Sequence, residues 1–173
     1  IKELCKREYV LPEEVNKENE TKTVIEKTNV AQGNLNIGMK VNNISKDDVA
    51  KVAVYNAVLG GGANSKLFQN VREKASLAYS AGSMFIKTKK TIIIKCGIDP
   101  ENYEKTLKIV NKQLDDMKNG DFSEEDMNKA KELIVASCKS MQDEQDSELS
   151  YYFNKELNEE KTTIEEYIKD VQA

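Results

Sequence analysis

The chain has 173 residues, of which 39% are hydrophobic and 32% charged, with a formal net charge of −4. That balance predicts one globular, water-soluble domain long enough to bury a core, and argues against disorder. Acids and bases alternate without a basic stripe for nucleic acid, and no apolar run reaches the ~18 residues of a membrane span. The chain contains no histidine. Its three cysteines, Cys5, Cys96 and Cys138, are far apart and lack a C-x-x-C spacing. They read as unpaired thiols of a reducing compartment, the cytoplasm, rather than as a disulfide framework or a zinc knuckle.

Residues 1–20 are polar and charged and read as a lead-in to a domain over 21–173. A short β-branched run occupies 21–26. Leu35, Ile37, Met39 and Val41 then alternate with Asn36, Gly38 and Lys40, the period of a half-buried strand. Ser45 and Asp48 form a capping-box pattern for a helix over 46–59, apolar on nearly all sides and stopped by Gly60. Residues 65–74 predict a short helix with Leu67, Phe68 and Val71 on one side, and Asn64 or Ser65 as its cap. Two apolar runs, 77–86 and 91–98, flank Lys87, Thr88, Lys89 and Lys90, which predicts an antiparallel hairpin with a solvated turn. Cys96 in its second strand reads as a small core residue.

Asp99 followed by Pro100 marks a helix start, and apolar residues from Tyr103 to Met117 follow at helical spacing. Ser123 and Asp126 cap a further helix with the stripe Met127, Ala130, Ile134, Cys138 and Met141. Helical stretches over 146–157 and 163–171 close the chain. Strands early and helices late predict an α+β fold, a single mixed, mostly antiparallel sheet with helices packed on one face.

The chemistry-bearing segment is the one that follows the second predicted helix boundary. Gly60, Gly61 and Gly62 lead into a stretch that delivers Arg72 and, seven positions on, Tyr79. A guanidinium and a phenol so placed can together hold carbonyl or carboxylate oxygens. The plainer readings are a surface arginine paired with an acid, a core tyrosine in the hairpin, and a glycine run that only stops a helix.

Residues 54–80, V-Y-N-A-V-L-G-G-G-A-N-S-K-L-F-Q-N-V-R-E-K-A-S-L-A-Y-S, resemble the pitrilysin/insulinase class of zinc metallopeptidases. G-G-G-x-x-S-x-L-F, R-E-K and L-A-Y-S stand at that family's intervals, and the order of strands and helices on either side matches over roughly 20–172. The resemblance implies a half-domain of a clamshell peptidase. Its zinc site, built on H-x-x-E-H, has no counterpart in a chain without histidine, so the resemblance points to the metal-free half. It further implies that Arg72 and Tyr79 address the substrate or the oxyanion, that Gly60, Gly61 and Gly62 contact substrate, and that no metal is bound by this chain. Zinc is expected in a partner domain, the zinc-bearing half, with a peptide as substrate and neither nucleic acid nor membrane as partner. A last strand is expected beyond the helix ending near Gln172. Two other functions stay open: a structural or assembly member of the same fold without peptidase activity, and a peptide-binding module using strand addition at a sheet edge.

Overall fold

The computed structural model describes residues 20–173, so the lead-in expected over 1–20 and Cys5 lie outside the described residues apart from Glu20. Three strands form one sheet among these residues: β1 (Gly33–Lys40), β2 (Ala78–Ile86) and β3 (Thr91–Ile98), in the order β1-β3-β2. Leu35, Ile37 and Met39 of β1 lie opposite Cys96, Ile94 and Ile92 of β3, and Ala81, Ser83 and Phe85 of β2 lie opposite the same three. Alternation along each strand thus assembles one mostly apolar face, and Ile94 and Cys96 at its centre are buried.

Both ladders are antiparallel. The expected mixed sheet is therefore antiparallel throughout the described residues. The connection from β1 to β2 runs through a helix, as between parallel neighbours, but β3 inserts between the two strands and pairs with both. The β-branched run at 21–26 forms no strand, and Val24 and Ile25 are exposed.

A 3₁₀ turn (Lys46–Asp48) leads into α1 (Val49–Gly60). Only half of the expected capping box forms: the Asp48 carboxylate accepts from the Ser45 amide at 3.2 Å and the Ser45 hydroxyl at 2.5 Å. The Asp48 amide donates instead to the Ser45 carbonyl at 3.2 Å. α1 buries Ala50, Val54, Ala57, Val58 and Leu59, packing on β2 and on three later helices.

Another 3₁₀ turn (Pro100–Asn102), capped by the Asp99 side chain, opens α2 (Tyr103–Lys118). Complete capping boxes at Ser123 and Thr163 open α3 (Glu124–Gln142) and α5 (Ile164–Gln172), with α4 (Gln145–Leu157) between them. No helix among the described residues is long and apolar enough to cross a membrane.

The lysine-rich hairpin turn departs from the solvated role expected of it. Lys87 donates to Glu160, and Lys155 donates to the same Glu160 oxygen at 2.8 Å. This staple joins the hairpin tip to α4 and to the loop before α5. Burial would raise the Glu160 carboxyl, but hydrogen bonds from Lys155 and Lys87 hold it below its ordinary value. Burial also works against charge on Lys155, yet its bond to Glu160 prevails and raises it. Lys87 falls below its ordinary value, first through burial and then through repulsion by Lys155.

Candidate substrate-contact site

The expected helix over 65–74 is present but is not a plain α-helix. After one α-helical step at Lys66 and Leu67, residues Phe68–Lys74 wind as a π-helix. Leu67 and Val71 point into the core and are fully buried. Arg72, in the last turn, is 44% exposed along its side chain, and its guanidinium lies over the Phe68 ring, 4.7 Å from the centroid. That stacking orients a planar cation in a way that an exposed ion pair does not. The Glu73 carboxylate approaches Arg72 Nε only to 3.7 Å, a solvent-screened contact of little energetic weight.

The chain then reverses. Ser76 takes a left-handed conformation with φ 52°, its amide donating to the Arg72 carbonyl at 3.1 Å while the Leu77 amide donates to Val71 at 3.1 Å. β2 begins at Ala78 with an irregularity: Ala78 lies opposite Ile98 and Ser80 opposite Gly97, so Tyr79 is the extra residue of a β-bulge. Bulges re-aim side chains, and Tyr79 is 65% exposed. Both members of the pair singled out from the sequence therefore reach solvent, one from a π-helical turn and one from a bulge.

The glycine segment runs from the last residue of α1, Gly60, towards the π-helical turn. Gly60 is buried against β2, where an added Cβ would stand 2.4 Å from the Ser83 nitrogen and 2.8 Å from the Gly82 carbonyl carbon. A Cβ on Gly61 would stand 2.6 Å from Ala57 Cα, and one on Gly62 would stand 2.9 Å from Leu133 Cδ2 on α3. Gly61 itself is exposed. Packing gives Gly60 and Gly61, which meet backbone, a structural reason irrespective of any ligand, whereas the end of the exposed Leu133 side chain can move aside for a Cβ on Gly62. Buried Ser65 is the cap, its hydroxyl accepting from the Phe68 amide at 3.4 Å, and Gln69 Nε2 pins the loop through the Ala63 carbonyl at 2.6 Å.

The residues present do not fit a zinc site. Histidine is absent from the chain, and among the described residues no group of three or more cysteine or acidic side chains is placed to hold a metal ion. Cys96 and Cys138 are free and buried, and burial pushes the Cys96 thiol up to about 11.

Sequence reasoning treated Phe68 only as part of an apolar helical face; a ring four positions before an arginine was the available signal for the stack. The π-helix and the bulge carry no comparable signal, because each is an extra residue accommodated within otherwise ordinary patterning.

Comparison with known proteins bears on the family. The profile of the peptidase M16 inactive domain matches residues 6–134. A Bacillus subtilis protein named probable inactive metalloprotease YmfF is 44% identical over 114 residues, covering 65% of this chain and 27% of that protein. Another from the same organism, named uncharacterized zinc protease YmxG, is 26% identical over 156 residues, covering 88% of this chain and 38% of the relative. A crystal structure described as a conserved protein from Enterococcus faecalis V583 superposes with a TM-score of 0.74 at 28% identity, over 83% of this chain and 34% of that one. The chain thus spans about a third of the length of these three proteins.

Proposed function

The chain belongs to the peptidase M16 inactive-domain family, and on that premise we propose that it is the metal-free, substrate-positioning half of a zinc-dependent peptidase. A zinc-bearing half, in the same polypeptide or in a partner subunit, supplies hydrolysis, and this chain alone is inert. The observation that carries the proposal is the exposed pair: Arg72 oriented over Phe68, and Tyr79 displayed on a bulge seven positions later. Tyr79 donates its hydroxyl to the oxygen on which negative charge develops at the scissile carbonyl. Arg72 holds a neighbouring backbone carbonyl, its planar fork suited to oxygen acceptors. Gly60, Gly61 and Gly62 shape the margin of the peptide channel, Gly61 alone presenting an exposed backbone there.

The free thiols Cys96 and Cys138 suit a reducing compartment such as the cytoplasm. The test is reconstitution: this chain with its zinc-bearing half should hydrolyse peptides, and neither should do so at comparable rate alone. Full activity of the zinc-bearing half by itself would sink the proposal.

A second reading is favoured by one observation, the word "inactive" in the name of the relative at 44% identity. In it the whole protein is a structural member of the fold without peptidase activity. A full-length protein that binds no stoichiometric zinc and cleaves no peptide, whether alone or with a zinc-bearing partner subunit, would decide for it.

A further inference from the structure

We infer that Asn70 and Gln113 are positioning residues for Arg72, an inference that rests on the substrate-contact role proposed for that arginine. The observation is a pair of hydrogen bonds from one amide. Asn70 Nδ2 donates to the Lys66 carbonyl at 2.8 Å and to Gln113 Oε1 at 2.9 Å. Lys66 stands in the α-helical step immediately before the π-helical turn. A carbonyl oxygen has two lone pairs, so the Lys66 carbonyl can take the Asn70 side chain besides a backbone donor. That bond ties the α-helical step to the π-helical turn where the winding widens.

The second bond anchors that arrangement to the rest of the fold. Gln113 lies on α2 with Thr106, Val110 and Met117 as its buried neighbours along the helix, and is only 4% exposed. An amide in such a row costs desolvation unless its polar atoms are used, and an apolar residue would fill the place more cheaply. Its carbonyl is used here, by Asn70. Lys74 donates to Asn70 Oδ1 at 3.3 Å and so fixes the opposite side of the same amide. The contact spans 43 positions of sequence and joins α2 to the turn that bears the stacked arginine.

The consequence reaches Arg72 by two routes. Its guanidinium is set by the Phe68 ring, whose position one turn earlier depends on the winding of this segment. Its carbonyl receives the Ser76 amide and so starts the reversal that leads to Tyr79. A segment that relaxes to an α-helix keeps Phe68 and Arg72 on one face but changes the rise and rotation between them, so the guanidinium moves across the ring and residues 68–74 turn relative to α2 and β2.

The experiment uses Gln113→Met, which keeps the shape and removes the acceptor, and Asn70→Leu, which removes the donor from a half-buried position outside the α2 core. This chain has two arginines, Arg7 and Arg72, so ¹⁵N-arginine labelling yields a simple Nε–Hε spectrum in which the Phe68 ring current marks one signal. In both variants that signal should move from its wild-type position, Phe68→Leu marking where it falls when the ring is gone, and Gln113→Glu, which retains an acceptor, should leave it in place. In the reconstituted peptidase both variants should raise KM about tenfold with kcat held within about twofold, the loss of one charge-assisted contact to substrate. Folded variants whose arginine signal stays in place would overturn the inference. If Gln113→Met fails to fold, Asn70→Leu decides alone. If Arg72→Ala leaves KM unchanged, the substrate role of the arginine fails, and the spectrum still reports whether the two amides set its position.

Discussion

Gly60 and Ser83 meet backbone to backbone: the last residue of α1 lies so close to β2 that a Cβ on it would stand 2.4 Å from the Ser83 nitrogen. The same junction is tied by the Ser83 hydroxyl, which donates to the Asn56 carbonyl at 3.3 Å. β2 is the strand that carries the Tyr79 bulge. The end of α1 and the proposed substrate-contact strand are therefore in direct backbone contact, tied by the Ser83 hydroxyl and leaving no room for a further side chain.

Gly60→Ala should destabilise the fold by about 2–3 kcal/mol or more, since the clash is with backbone that cannot rotate away. Gly38→Ala, in a β1 position with nothing within 4 Å of the added Cβ, should be neutral or stabilising by up to about 0.5–1 kcal/mol. Urea denaturation of both variants checks this, and equal midpoints would show that the close approach carries no energy.

Tyr79→Phe removes one hydroxyl with little change of volume, so in the reconstituted peptidase it should lower kcat by ~100-fold while KM changes little. Arg72→Ala should act mainly on KM, because it removes a contact made in the ground state as well. Steady-state kinetics on a single peptide separates the two. Unchanged turnover in Tyr79→Phe would remove the phenol from the chemistry.

Glu160 should make stability fall in acid. Its carboxyl is held below the ordinary value of 4.5, so the folded state takes up this proton less readily than the unfolded chain. The stabilisation is complete above that value and is lost as pH falls below it through the folded-state titration. At neutral pH, Glu160→Gln should cost roughly 1–3 kcal/mol, below the ~3–5 of a fully buried pair because Lys87 is 38% exposed. Melts between pH 7 and 3 should therefore converge for the two proteins at the acid end. A wild-type-minus-variant difference that persists there would rule the staple out.

Cys96 and Cys138 should resist alkylation in the folded protein. Cys96 is buried in β3 and its thiol is pushed up to about 11, while burial also raises Cys138 on α3. At pH 8 little thiolate forms and little reagent reaches it. Mass mapping after iodoacetamide, with and without denaturant, should show both sites labelled only on unfolding; rapid native labelling of Cys96 would contradict its place in the core.

The elements legible in the amino-acid order are those whose signal is local. Ser123 and Asp126 specify the start of α3 because a capping box closes within four residues, and Leu35, Ile37 and Met39 specify a strand because alternation needs only the strand itself. The absence of histidine and the interval from Arg72 to Tyr79 were equally readable, since composition and spacing need no coordinates. Other features depended on partners distant in sequence. β3 inserting between β1 and β2 made the sheet, expected to be mostly antiparallel, antiparallel throughout the described residues, because strand neighbours are chosen by the whole set of hydrophobic faces. Glu160 captured Lys87 from 73 positions away, turning a solvated hairpin tip into part of a staple. Asn70 found Gln113 across 43 positions, and Tyr79 became a bulge only through its register against Gly97 and Ile98. Patterning along the chain decides which faces are apolar and where helices begin. Which side chains meet across those faces is decided by packing, where each contact competes with every other for the same space.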